Sequence, residues 1–315
     1  VSEESFFDGV EFINELKLKA SWGQLGNQNI GEYPFASTIA LGQDYLFGGN
    51  VVSGAAQLAL ANKEISWETT ETSNFGVDLG MLQNRLTVSA EYYVRNTSDI
   101  LLQLPIPMTI GLNQPYQNAG KVRNAGWDLG LGWADEVNEF SYGVNFNISD
   151  VRNEVVDLMG TGPHIIGAAI RQEGYPVNSI FGYKSAGLFQ SQEEIDASPV
   201  QIGAIAPGDI RYVNQLTIDT DGDGVKDAAD NLINAEDRVI IGNPFPRYMY
   251  GMSLTAGFKG IDLSVMVQGV GKRDVLATGD AIWAFQNGGK IQEWHSDYWT
   301  PENPDASYPR LVATT

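Results

Sequence analysis

The feature that most constrains this chain is a two-residue hydrophobic period that recurs in long runs. Phe75, Val77, Leu79 and Met81 alternate with Asn74, Gly76, Asp78 and Gly80. Leu86, Val88, Ala90, Tyr92 and Val94 follow the same rule, as do Trp127, Leu129, Leu131 and Trp133. So do Phe140 through Ile148, Met252 through Phe258, and Ile261 through Val267. Side chains two apart share one face of a strand. Each run therefore has an apolar face and a face of mainly Gly, Ser, Asn and Asp. A helix cannot keep such a pattern on one side, so the expected class is all-β.

An apolar strand face packs either on a soluble core or on lipid. The runs approach ten residues or more, against a usual strand of about five or six. Trp127, Trp133, Phe140 and Phe258 lie near run ends, like an interfacial aromatic girdle. Loop lengths add a stronger constraint. Strands expected near 16–24, 70–82, 85–96, 121–134, 139–151, 247–258 and 261–271 are joined by short and long links in strict alternation. The short links fall at 83–84, 135–138 and 259–260; the long ones at 25–69, 97–120 and 152–246, with another from 272 onward. This expects an antiparallel meander with all long loops on one side, provided 152–246 holds an even number of sheet strands. Short periplasmic turns and long outer loops mark a transmembrane β-barrel. No run of about 18 apolar residues offers a transmembrane helix. The opening Val1-Ser2-Glu3-Glu4 lacks an initiator Met and a basic leader, so the chain reads as the middle of something longer. Residues 178–189 read as extended and 192–195 as a helical turn.

With 39 acidic and 19 basic residues the net charge is −20, which argues against nucleic acid as a partner. Cysteine is absent and histidine occurs twice, at His164 and His295, so thiolate chemistry is excluded and zinc or His-based catalysis is disfavoured. The sharpest local motif is the acidic run from Asp219 to Asp230, which begins D-x-D-x-D-G. Asp219, Asp221 and Asp223 supply carboxylates at positions 1, 3 and 5, and Gly224 at position 6 permits the sharp turn. The Val225 carbonyl and Asp227 stand at the next ligand positions of a calcium loop. The last position is occupied by Asp230, with Asp237 as a second candidate. Helices on either side are not expected, so the ion, Ca²⁺, is structural. Weaker features are Gly269-Val270-Gly271-Lys272, a partial phosphate-loop pattern, the acid pair Glu68 and Glu71, and the loop tryptophans Trp283, Trp294 and Trp299.

Longer motifs carry a resemblance. The segment Leu18 to Asn27 (LKASWGQLGN) and the segment Trp67 to Asp78 (WETTETSNFGVD) are followed, in order, by Asn118-Ala119-Gly120 and Asn124-Ala125-Gly126. Gly182-Tyr183, Gly187-Leu188-Phe189 and Pro207-Gly208-Asp209-Ile210 come next, then Glu236 to Pro244 and Trp299 to Pro304. This ordered set resembles the SusC/RagA-like TonB-dependent transporters of Bacteroidota over nearly the whole chain. The resemblance implies that residues 1–315 are part of a large outer-membrane barrel of about 22 strands, with 217–238 as a calcium-binding-like loop within it. It also implies import of a glycan or peptide, energy from TonB, a SusD-like lipoprotein lid and no catalytic chemistry. The plug, the TonB box and the strands expected after Pro309-Arg310-Leu311 are missing from this span. In the family the last calcium acid stands just before Arg-x-Ile-Gly, which is Asp237; here Asn231 to Glu236 intervene, so Asp230 and Asp237 compete. The alternative from the residues alone is a soluble, secreted, calcium-binding adhesin or glycan-binding module, and a third is a glycoside hydrolase domain.

Overall fold

The computed structural model describes residues 12–312 apart from 32, 105, 280 and 281; the opening Val1-Ser2-Glu3-Glu4 lies outside that range. The chain divides into two compact units. The first comprises Val1–His164, Arg171–Val177 and Phe245–Arg273; the second comprises Ile165–Ile170, Asn178–Pro244 and Asp274–Thr315.

In the first unit, seven long strands form one antiparallel meander: β1 (Ile13–Asn27), β2 (Glu68–Met81), β3 (Leu86–Ser98), β4 (Lys121–Val137), β5 (Phe140–Asp157), β6 (Arg247–Phe258) and β7 (Ile261–Lys272). Their order in the sheet is their order in sequence. All seven expected strands are present. β5 pairs directly with β6, so the segment between them adds no strand to this sheet and the parity condition holds at zero. The turns at 82–85 and 259–260 sit where short links are expected, while the one expected at 135–138 is shortened to Asn138-Glu139 because β4 continues to Val137. Lys259 and Gly260 both have left-handed φ, +48° and +83°, as a two-residue hairpin turn matched to strand twist requires. Asn138 takes φ +56° in the shortened one.

The strands run further than the alternation does. β5 continues to Asp157 and β4 to Val137. The hydrophobic signal fades at Asn153 and Glu154, but the backbone ladder continues, with Asn153 opposite Asn124 and Arg123 opposite Glu154. Hydropathy reports where a strand meets an apolar medium; hydrogen bonding decides where it ends.

Register sorts the two faces without a break. Leu16, Leu79, Val88, Leu131, Phe146, Met252 and Val267 form one row across all seven strands. One residue along lies the row Lys17, Asp78, Ser89, Gly130, Asn147, Gly251 and Gln268. Directly opposed residues share a face, so the first row belongs to a continuous apolar surface and the second to a continuous polar one. On the apolar surface Leu18 is 67% exposed and Phe75 60%. A soluble sheet would cover such side chains. On the polar surface Lys19 donates to Asp78 at 3.0 Å and to Glu91 at 2.5 Å, and the Ser89 hydroxyl donates to Asp78 at 2.8 Å.

In the second unit, Ser179–Tyr183 pairs antiparallel with Arg238–Gly242. Ser185–Leu188 pairs with Ile210–Tyr212. Gln192–Asp196 forms a short helix whose N-cap Ser191 accepts from the Glu194 N–H. Gly208 has φ +90°, and a Cβ there would lie 2.3 Å from Trp299. That close approach lets the Arg310 N–H reach the Gly208 carbonyl at 2.9 Å. The Arg310 guanidinium then forks onto Asp209 at 2.7 and 3.0 Å, a bidentate geometry that holds both planes in register.

Candidate functional site

The acidic loop lies within the second unit, between Thr217 and Ala228. Thr217 and Ile218 both donate N–H to the Ala228 carbonyl at 2.9 Å, and Asp227 N–H returns to Ile218 at 2.8 Å. Within this neck the chain folds on its own carboxylates. Asp219 accepts from Gly222 N–H at 2.7 Å and from Gly224 N–H at 2.9 Å. Asp221 accepts from Asp223 N–H at 3.2 Å, and Asp223 from Val225 N–H at 2.7 Å. Gly222 and Gly224 have φ +78° and +90°, a region that costs L-residues energy. Successive turns of this kind gather one carboxylate oxygen each from Asp219, Asp221 and Asp223 within 4.8 Å of one another.

That spacing fits a calcium ion. Oxygens bound at 2.3–2.6 Å to one centre lie no more than about 5 Å apart, and hard carboxylates are its preferred donors. The N–H groups of Gly224 and Gly222 hold the Asp219 carboxyl below the usual carboxylate range. A folded-state value below the unfolded one stabilises the folded loop above the unfolded value, and that contribution is lost as pH falls through the lower, folded one.

The other expected ligands point elsewhere. Asp227 accepts from Thr220, at 3.0 Å from the N–H and 2.6 Å from the hydroxyl, and these bonds lower its pKa. Asp230 accepts from Leu232 N–H at 3.0 Å and from the Asn234 amide at 3.2 Å. Asp237 is fully buried. It accepts from Gln215 N–H at 2.7 Å and Asn234 N–H at 2.8 Å, closing a capping box over the 3-10 turn Ala235–Asp237. Val225 presents its N–H to Asp223 and lies in the same turn.

The weaker motifs resolve into local structure. Glu68 and Glu71 are three apart on β2, so they face opposite sides; Glu68 accepts from Asn27 and Leu101, Glu71 from Trp22. His164 bonds the Thr161 carbonyl at 2.9 Å. His295 is buried between Gln292 N–H and the Ile282 carbonyl. Gly269-Val270-Gly271-Lys272 is the end of β7. The Lys19–Asp78–Glu91 cluster is a feature that motif reading missed. Alternation places Asp78 and Glu91 on the polar face, but their shared cation stands 59 and 72 residues away.

Residues 7–268 match the family described as "TonB dependent receptor-like, beta-barrel". This chain belongs to that family. Among its relatives, TonB-dependent receptor P26 of Formosa agariphila is 31% identical over 323 residues, covering 98% of this chain and 31% of the relative. TonB-dependent receptor SusC of Bacteroides thetaiotaomicron is 25% identical, covering 84% of this chain and 26% of the relative. The chain also resembles solved structures of the RagAB peptide transporter, with TM-score 0.74 and 24% identity over 99% of this chain and 33% of that one. The open-open state of the RagAB peptide importer gives TM-score 0.76, over 99% of this chain and 32% of that one. These likenesses show the fold of a TonB-dependent receptor barrel. The chain spans about a third of the length of these relatives or less. The seven-stranded sheet is therefore a sector of a SusC/RagA-like barrel, open at β1 and β7.

Proposed function

We propose that this chain forms part of an outer-membrane importer that takes up a glycan or peptide, with energy from TonB and a SusD-like lipoprotein as its lid. The observation that carries this reading is the unbroken pair of faces: an apolar row across seven strands backed by a polar one. Outer-membrane lipid is the solvent such a surface needs, and the polar face lines the import path. The long connections then lie outside the cell, where they meet the lipoprotein and the cargo. This span has no cysteine, so thiols introduced within it are read against the labelling of the unsubstituted full-length protein. In the full-length protein, Asn50→Cys and Thr161→Cys should react with an impermeant maleimide on intact cells, and Glu139→Cys only after the outer membrane is broken. The reverse pattern inverts the topology and removes the reading.

In the same reading the acidic loop holds one structural Ca²⁺. Asp219, Asp221 and Asp223 form the core of its shell, with the Val225 carbonyl and water in reach of the remaining positions. Asp227, Asp230 and Asp237 join only by releasing the donors they now accept from. The ion neutralises a dense acidic turn and fixes the long connection ahead of β6; it performs no chemistry. An affinity of about 10⁻⁴–10⁻³ M suffices outside a cell. Calcium titration of the intact transporter should lose one site in Asp221→Ala and Asp223→Ala. Equal binding by wild type and both variants rejects the site.

A further inference from the structure

The first unit contains a cavity of about 310 Å³ at the long-loop ends of β2 to β5. Its lining is largely aliphatic: Ile100, Leu102, Val122, Val155, Leu158 and Val177. Val122 lies six residues from Asp128 on β4, and Val155 six from Ser149 on β5, so both stand on the polar-face side of the sheet. The cavity therefore opens toward the face that the import reading makes the cargo path, not toward lipid.

Its walls are held by bonds that do not involve a ligand. Val155 N–H donates to Tyr175 at 2.8 Å, and Gly174 N–H returns to Val155 at 2.9 Å. Val177 N–H donates to the Asn153 amide oxygen at 2.7 Å. On the other side Ile100 N–H reaches the Gly120 carbonyl at 3.2 Å, and Leu101 N–H reaches Glu68 at 2.8 Å. A preformed apolar pocket binds with little ordering cost.

The lining discriminates between the two cargo classes. A sugar ring placed here surrenders water from several hydroxyls and finds few partners on Ile, Leu and Val side chains, a losing exchange. An aliphatic or aromatic side chain surrenders nothing polar.

We propose that this cavity is a side-chain subsite that makes the imported cargo a peptide, taking one of its aliphatic or aromatic side chains. The inference rests on the import reading above. The test uses the full-length transporter purified from outer membranes and three probes: a seven-residue Gly/Ser peptide with a central leucine, its serine counterpart, and maltoheptaose. The leucine peptide should bind about 10- to 100-fold more tightly than the serine peptide. Gly120→Leu should erase that preference, because a side chain at 120 starts 3.6 Å from Leu102 and 3.7 Å from Ile100 and grows into the cavity. Gly120→Ala, whose methyl meets only ordinary contacts, should retain it. Equal binding of the two peptides by wild type overturns the inference, as does absence of peptide binding, or maltoheptaose binding that Gly120→Leu abolishes. Fractionation of the same cells separates the two levels. A protein absent from the outer membrane sinks the import reading itself; one that sits there without a side-chain preference sinks only the peptide subsite.

Discussion

Leu131→Arg is expected to remove the full-length protein from the outer membrane, whereas Gly130→Lys, one residue away, leaves it there. Leu131 sits in the middle of the apolar row, between Val88 on β3 and Phe146 on β5. Trp127 and Trp133 bracket it along β4. An arginine on the lipid face near the bilayer midplane costs about 2–4 kcal/mol. A barrel wall has no way to bury that charge by rotating a strand, because a one-residue slip would turn every apolar side chain on the strand inward. Gly130 lies on the polar face, and a Cβ there meets nothing nearer than Ser89 at 3.8 Å. A lysine there joins the polar face, beside Ser89 and Asn147. The measurement is urea unfolding of membrane-extracted protein, with outer-membrane yield alongside. Equal losses from both substitutions, or a greater loss from Gly130→Lys, reverse the assignment of the faces.

Asp237→Ala is expected to loosen the second unit by about 3–5 kcal/mol, with or without calcium. The carboxylate is fully buried and accepts from two backbone N–H groups, Gln215 and Asn234. Removing it strands both donors away from water, at about 1–3 kcal/mol each, and opens the capping box that Asp237 closes back onto Asn234. Asp237→Asn keeps one acceptor oxygen and should lose roughly half as much. Amide exchange over residues 210–240 of the intact protein reads the effect directly. Retained protection in Asp237→Ala would show that the capping box contributes nothing. Loss of protection that appears only after a chelator is added would move Asp237 from capping to ligation. Asp223→Ala gives the complementary signature, since its carboxylate is exposed and accepts from only one N–H, that of Val225.

The seven strands, their faces and their antiparallel order are legible in the sequence. Their signal is local: a period of two, repeated until a turn of Lys-Gly or Asn type interrupts it. The acidic turn was legible for the same reason. Asp219, Asp221 and Asp223 converge because Gly222 and Gly224, next to them in the chain, take left-handed φ. The later half of the motif was not. Spacing places Asp227 and Asp230 at ligand positions and the family resemblance adds Asp237, yet Thr220 donates to the first, Leu232 and Asn234 to the second, and the backbone of Gln215 and Asn234 to the third.

Hydrophobic periodicity, read from the sequence by itself, determined that this chain makes lipid-length strands with one apolar side, because each residue's face follows from its neighbours two away. Tertiary structure alone decided which residues finally meet. It set β5 beside β6 across the whole of the second unit's main segment. It brought Lys19 to Asp78 and Glu91, and Arg310 to Asp209. It closed the cavity of Val122, Val155 and Val177. Those partners are chosen by long-range register and by the competition of buried backbone donors for carboxylates. Neither leaves a mark on residues adjacent in sequence.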